Sequence, residues 1–525
     1  MTSGDLHDTL PPFPERFNLC EYFLDHNLGA GRGDKVALIK GDETRTFGQL
    51  SRRVRKLAAA FRQLGLRPEE RVLIVLPDGF EFAETWFACL RAGGVFAMAN
   101  PLQPAEALAH YLEYTKARIV ITVSESLASL GPAARASEWC ESLLVVGDDA
   151  GGFLSYEELL EAQDADGHLA RMASTGPDDL AGWLFTSGST GAPKACVHAH
   201  SDFAWATETY ALKVAGYRED DLCLSVPKLF FGYATGTNLM FPFRVGASVV
   251  LFEGRATAEE IFRQIEQHRP TFLTGVPTLF NNMLRSKLLD GVDLSCLRVA
   301  LSAGEALPEA LLFEWTERTG IEVLDGIGSA EMFHIYVSNY PGEVRPGSLG
   351  RVVPGYEVKI VDPSGEVVQP GEPGRLRVRG GSTALCYWGD KQNSRETFQG
   401  EWCTTSDIFR CDCDGYYYFE GRIDDLLKVS GIWVSPLEIE NALLSHPAVR
   451  EVCVVGREDE RSLIKPHAVV SLSEGFTGGE QLAVQLKQHA KELLAPYKYP
   501  RSFEWRDELP KNDRGKIDRK LLDVQ

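Results

Sequence analysis

Short apolar runs of strand length alternate with amphipathic runs of helix length through most of this chain, and that alternation restricts its fold more than any other feature. Residues 45–64, RTFGQLSRRVRKLAAAFRQL, bring Leu50, Val54, Leu57, Ala58 and Phe61 to one face at helical spacing. The turn GLRPEE follows, then VLIVLP as a short apolar strand, a helix over 80–92 and extended chain in GGVFAMANP. The cycle recurs with a helix over 104–115 and the strands ARIVITV and LLVV (143–146). It returns in 220–320, where ASVVLF (247–252), a helix over 257–268, TFLTGVP and LRVALSAGE (297–305) succeed one another. The pattern predicts an α/β fold with largely parallel sheets covered by helices.

From residue 348 the texture changes. EVKIVD and GRLRVRG are separated by the turns PSGE and PGEPG, which predicts a smaller, turn-rich sheet or barrel. A boundary is expected at 421–425, followed by a helix over 435–445, strands VREVCVVG and KPHAVVSL, and a helix over 480–494. That is enough material for a separate α+β domain. Its tail carries Lys511, Arg514, Lys516, Arg519 and Lys520, either a solvated terminus or a lysine delivered to an anionic substrate.

At 525 residues the chain calls for two to four structural units rather than one core. Apolar residues at 44% and charged residues at 24% suit a globular protein. A net charge of −20 argues against nucleic-acid partners, because phosphate backbones are held by positive surface. A local pocket can still take a small anion. The N-terminal stretch MTSGDLHDTLPPFPERF lacks the apolar core of a signal peptide, and no long uncharged apolar run follows. No membrane partner and a cytoplasmic location are therefore expected. The eleven cysteines lack regular spacing, and Cys403, Cys411 and Cys413 lack the paired spacing of a zinc site, so ordinary thiols are expected.

The chemistry begins at TSGSTGAPK, residues 186–194. Glycines let backbone N–H groups turn towards phosphate oxygens; Thr186, Ser187, Ser189 and Thr190 add hydroxyls, and Lys194 adds a charge. By itself this loop is compatible with nucleotide-phosphate contact or with a polar surface turn. It does not separate kinase, ligase and ATPase.

Four further stretches narrow the choice: GIGSAE (326–331), TTSD (404–407), GRIDD (421–425) and NDRGKIDR around Lys516. In this order they resemble the motifs of adenylate-forming enzymes, the family of acyl- and aryl-CoA synthetases, luciferases and peptide-synthetase adenylation domains. The resemblance runs over residues 15–522. LFFGY (229–233), DGIGSAEMFHIY (325–336) and RIDDLLKVSGIWVSP (422–436) are similar to the benzoate-type CoA ligases, including those for 2-aminobenzoate.

The resemblance implies a region 1–423 with two doubly wound α/β subdomains and a small β-barrel near 348–420, then a mobile α+β domain over 424–525. It implies ATP, Mg2+ and coenzyme A as reactants, and a small aromatic carboxylate as the acid. The loop residues Thr186, Ser187, Gly188, Ser189, Thr190, Gly191 and Lys194 would steer phosphates, and Glu331 would hold the metal. Gly304, Glu305, Asp325, Gly326 and Ile327 would enclose adenine and AMP; Asp407 would bind the ribose, and Arg422 the ribose or a phosphate. Tyr233, Ala303, Gly328, His334 and Ile335 match the walls of the aryl pocket, with Gly232, Ala234 and Ala303 enlarging it. Lys516 would promote adenylation, and Asp424 would be the hinge that exchanges it for the loop of Lys428 and Gly431, past which the thiol arm travels. The resemblance also makes Lys516 a candidate for acylation, which would erase its charge.

Two positions depart from the family pattern. Ile327 replaces the usual aromatic, as suits the benzoate-like group, and Ala330 replaces a threonine whose hydroxyl Ser329 would partly restore. Two other functions remain open at this point: loading of a separate carrier protein, and non-catalytic nucleotide binding. A homodimer is the default assembly.

Overall fold

The computed structural model describes residues 12–187, 193–429, 432–458, 464–495, 498–511 and 517–522. Two large sheets dominate it. In the eight-stranded sheet, Leu180–Ser187, Val95–Met98, Arg71–Val75, Ile119–Val123, Ser142–Val146 and Leu154–Ser155 run parallel in that spatial order. Pro193–Ala199 and Cys386–Tyr387 extend it antiparallel beyond Leu180–Ser187. In the nine-stranded sheet the parallel strands are Val323–Gly328, Val299–Ala303, Phe272–Gly275, Leu222–Ser225, Ser248–Leu251 and Val36–Lys40. Antiparallel strands close both of its edges.

The strands form where apolar runs have no polar side to offer. Val72–Val75 and Val95–Met98 are buried at every position, as expected of parallel strands covered on both faces. The first predicted helix spans Phe47–Gln63. Thr46 starts it with a capping box: its hydroxyl accepts from Gln49 N, and Gln49 Oε1 accepts from Thr46 N. Leu50, Val54, Leu57, Ala58 and Phe61 are fully buried on its inner face.

In each large sheet the chain order reverses beside one strand. Leu222–Ser225 lies between Ser248–Leu251 and Phe272–Gly275, and Arg71–Val75 lies between Val95–Met98 and Ile119–Val123. Loops leaving neighbouring strands at such a point diverge and open a crevice at the strands' carboxyl ends. The turn-rich region forms a five-stranded antiparallel sheet built on Tyr356–Val361, Gly374–Gly380, Phe398–Gln399, Trp402–Cys411 and Tyr417–Arg422. The smaller C-terminal α+β domain has helices Pro436–Leu444 and Glu480–Leu493 on a sheet of Val449–Glu458, Ile464–Leu472 and Ser502–Trp505. No helix among the described residues is long and apolar enough to cross a membrane.

Candidate active site

The carboxyl ends of the two large sheets meet at a cleft of about 1450 Å³. Pro77, Asp78 and Asn100 reach it from the eight-stranded sheet; Lys228, Val276 and Gly304 reach it from the nine-stranded one. The five-stranded sheet adds Arg375, Asp407 and Arg422, and the C-terminal domain adds Arg450 and Lys511. The fold thus places its two chain-order reversals on one shared cavity, the position where open α/β sheets bind ligands.

Thr186 and Lys194 face the cleft as direct cross-strand partners, at the two described ends of the phosphate-type loop. Gly188, Ser189, Thr190 and Gly191 lie outside the described residues, and Ser187 ends its strand. Lys194 Nζ stands 5.3 Å from the centre of the Tyr387 ring. The Tyr387 hydroxyl donates to Glu331 Oε1 at 2.6 Å. Burial, and then the Glu331 carboxylate, raise the Tyr387 pKa, so the phenol keeps its proton and stays a donor. Glu331 lines the cleft with a hard carboxylate oxygen, a donor chemistry suited to Mg2+. Tyr387 holds it from one side and leaves it facing the cavity.

Across the cleft, Asp407 and Arg422 are partners on adjacent strands, with Arg422 Nε 3.5 Å from Asp407 Oδ1. Asp407 N donates to Thr405 Oγ1 within the strand Trp402–Cys411. Gly304 lines the cleft at φ +92°, a left-handed conformation that favours glycine. Glu305 Oε2 accepts from Thr278 Oγ1 at 3.1 Å. Gly326 and Ile327 line the same wall, whereas Asp325 lies beneath it, 4% exposed.

Burial lifts the Asp325 pKa to about 8, opposed by the Ser302 hydroxyl and the Leu307 and Gly326 amides. The folded protein therefore holds this proton between the ordinary carboxylate pKa of 3.8 and about 8, and the group lowers stability as pH rises through that window. Asp325→Asn, neutral at every pH, is expected to flatten the decline. Relative to the unchanged protein, its unfolding free energy in urea is expected to gain ~2–5 kcal/mol between pH 5 and pH 9. An equal pH slope in both proteins would refute the assignment.

Tyr233, Ala303, Gly328, His334 and Ile335 all line the cleft. Gly328 is required by packing, since a Cβ there would lie 2.6 Å from the His334 backbone. Burial lowers the His334 pKa to about 3, so the ring is neutral. Its Nε2 lies 3.2 Å from the Tyr233 carbonyl oxygen; a carbonyl only accepts, so Nε2 is the donor. One expectation fails: Ala234 is fully buried behind the wall and does not enlarge the cavity, because the helix Gly232–Thr235 turns it inward. Ser329 lines the cleft, with its hydroxyl buried beside Tyr336.

Lys516 and Gly431 lie outside the described residues. Lys511 and Ile517, which flank Lys516, pair as a β-bridge, and Lys511 lines the cleft. Asp424 sits in the helical turn Ile423–Asp425 and Lys428 in the strand Leu427–Val429. Sequence reasoning missed Tyr387, Arg375 and Arg450, none of which belongs to a recognisable motif; only a fold that folds the strand Cys386–Tyr387 back beside Pro193–Ala199 brings Tyr387 to Glu331.

Two chain-reversing sheets around a shared cleft, a carboxylate pair of Glu331 and Asp407 on its walls, and a small domain at its mouth define an enzyme of nucleotide-dependent acid activation. The chain belongs to the AMP-binding enzyme family: the family's main model matches residues 25–388, and the AMP-binding enzyme C-terminal domain matches 438–516. It is 42% identical over 519 residues to a benzoate–CoA ligase of Thauera aromatica, covering 98% of this chain and 97% of that protein. The crystal structure of the anthranilate CoA ligase AuaEII in complex with anthranoyl-AMP superposes with a TM-score of 0.93 at 38% identity, covering 99% of this chain and 98% of that one. A benzoate CoA ligase from Burkholderia xenovorans LB400 gives 0.90 at 40% identity, covering 97% of this chain and all (100%) of the other.

Proposed function

We propose that the protein is an AMP-forming aryl-acid–CoA ligase that activates benzoate or a close relative such as 2-aminobenzoate. The observation that carries this reading is the convergence of one flat-ring wall (Tyr233, Ala303, Gly328, Ile335) with Glu331 and Asp407 on a single cleft. In the first step a carboxylate oxygen of the acid attacks the α-phosphorus of ATP; the bond to the β-phosphate oxygen breaks and pyrophosphate leaves. In the second, the CoA thiolate attacks the mixed-anhydride carbonyl and AMP leaves, giving the thioester.

The residues divide this work. Thr186 and Lys194 frame the loop that steers the β- and γ-phosphates, and Lys194 supplies positive charge there. Asp407 accepts hydrogen bonds from the ribose hydroxyls, with Arg422 beside it. Gly304, Glu305, Gly326 and Ile327 enclose the adenine side, with Asp325 beneath them. Glu331, steadied by Tyr387, would hold Mg2+, which when bound neutralises phosphate charge. Lys516 brings the two anions of the first step together. The unit beginning at Asp424 then turns about that residue, withdraws Lys516 and presents Lys428 and Gly431 to the thiol arm. Free CoA is the acceptor, and a carrier protein is the alternative the same assay decides.

AMP release with ATP, Mg2+ and CoA is to be compared for benzoate, 2-aminobenzoate, 2-hydroxybenzoate, 4-hydroxybenzoate and a medium-chain fatty acid. A preference for an aryl acid, with its CoA thioester seen by mass, is expected and names the ring. Turnover of the fatty acid alone would overturn the pocket assignment; adenylate formation without CoA transfer would turn the reading towards a carrier protein. Asp407→Ala is expected to raise KM for ATP ~10- to 100-fold, the loss of one or two charge-assisted hydrogen bonds, with little change in KM for the acid. Steady-state kinetics with each substrate varied in turn check this.

A further inference from the structure

The turn that carries Glu331 is held in a conformation that it would not keep unaided. His334 N donates to Met332 O at 2.7 Å, closing a three-residue turn around Phe333 at φ 62° and ψ −54°. A γ-turn with positive φ is rare and strained, more so at a bulky side chain, and persists only where its surroundings dictate it. Here the strained residue lies between the metal-type carboxylate Glu331 and the pocket wall at His334.

Two segments hold it. Ser382 Oγ donates to Met332 O and Ala384 N to Glu331 O, each at 2.8 Å; the other hold comes from the strand leaving the phosphate loop. His198, on Pro193–Ala199, is fully buried. Its Nε2 lies 2.7 Å from the carbonyl oxygen of Ala330, the residue before Glu331, and its Nδ1 lies 2.8 Å from Asp202 Oδ2. A carbonyl oxygen has only lone pairs to offer, so Nε2 donates to it. On the other side of Glu331, the Phe333 ring packs edge-on against Phe203 at 4.5 Å, and Phe203 lies 5.5 Å from the His198 ring. One hydrogen bond and one ring contact, both rooted in residues 198–203, thus hold the chain on either side of Glu331.

We infer that His198 is a positioning residue: its hydrogen bond to Ala330 O sets the Ala330–Phe333 turn so that the Glu331 carboxylate meets the metal–nucleotide. No role in this reaction falls to His198 by motif, and the inference rests on the reading of Glu331 as the metal ligand. Geometry provides the discriminating variants. The amide nitrogen of glutamine falls where Nε2 stands, and that of asparagine where Nδ1 stands. His198→Gln therefore keeps a donor for Ala330 O and loses the one to Asp202; His198→Asn does the opposite.

The experiment measures ATP affinity by calorimetry on the full chain, with Mg2+ and with EDTA, beside Glu331→Gln. The readout is the gain in affinity that Mg2+ brings. The Gln variant is expected to keep that gain within ~3-fold of the unchanged protein, and the Asn variant to lose ~10-fold or more of it, with metal-free ATP binding little moved in either. Rescue by Asn as good as by Gln would mean that His198 only anchors Asp202, and the inference fails. Should the Asn variant not fold, His198→Met, which offers no donor, takes its place and is expected to lose the gain; a tenfold loss in the Gln variant, or retention in the Met variant, overturns the proposal. If Glu331→Gln itself leaves the gain intact, the reading of Glu331 fails; if only the His198 variants leave it intact, the positioning role alone fails.

Discussion

Lys516→Ala is expected to slow aryl-adenylate formation by ~100- to 1,000-fold while leaving thioester formation from a supplied aryl-adenylate within ~3-fold. The first step drives a carboxylate onto a phosphate, two anions that repel one another until a cation lies between them. Removing one donor aimed at such developing charge costs ~3–4 kcal/mol in a shielded site. The second step has a different electrophile, the acyl carbonyl, and under the proposed rotation takes place with Lys516 withdrawn. The flank Lys511 lines the cleft. Pyrophosphate-dependent ATP exchange reads the first half, and single-turnover transfer from synthetic benzoyl-AMP to CoA reads the second. Equal loss in both halves would contradict the division of labour and would point to a Lys516 that serves folding or general anion binding.

Glu331→Gln is expected to lower overall turnover ~100-fold and to raise the Mg2+ concentration for half-maximal rate by an order of magnitude or more. The carboxamide keeps the shape and even the bond from Tyr387, but it removes the negative charge that a hard dication requires. Tyr387→Phe, which keeps the carboxylate and deletes the donor that orients it, is expected to fall by a smaller factor of ~10. Metal titrations of the rate at saturating ATP test both. A Glu331→Gln variant with unchanged metal demand would leave Glu331 a wall residue and transfer the metal to other donors.

The sheets were legible because their strands are unmistakable: runs such as LIV at 73–75 and VFAM at 95–98 are buried on both faces and leave no helical alternative. The wall residues Tyr233, Ala303, Gly328, His334 and Ile335 were legible through their motif neighbours, and all reach the cleft. What motifs do not encode is side-chain direction. Ala234 stands beside the lining residues Gly232 and Tyr233, yet it turns into the core. Contacts between distant segments were equally hidden. Tyr387 follows Glu331 by 56 residues and meets it only through an antiparallel strand at a sheet edge. The π-helical stretch Thr207–Ala215 was also invisible, because its wider turn has no distinct hydrophobic period from that of an α-helix over so short a run.

Every residue of the ring wall descends from the nine-stranded sheet and its loops, whereas Thr186 and Lys194 descend from the eight-stranded one. Under the proposed function, recognition of the acid and grip on the phosphates thus have separate ancestry within the chain. Changes at Tyr233 or Ala303 can reshape the range of acids accepted without disturbing the hairpin that frames the nucleotide, so new acid preferences can be reached by small steps on a scaffold that keeps making adenylate throughout.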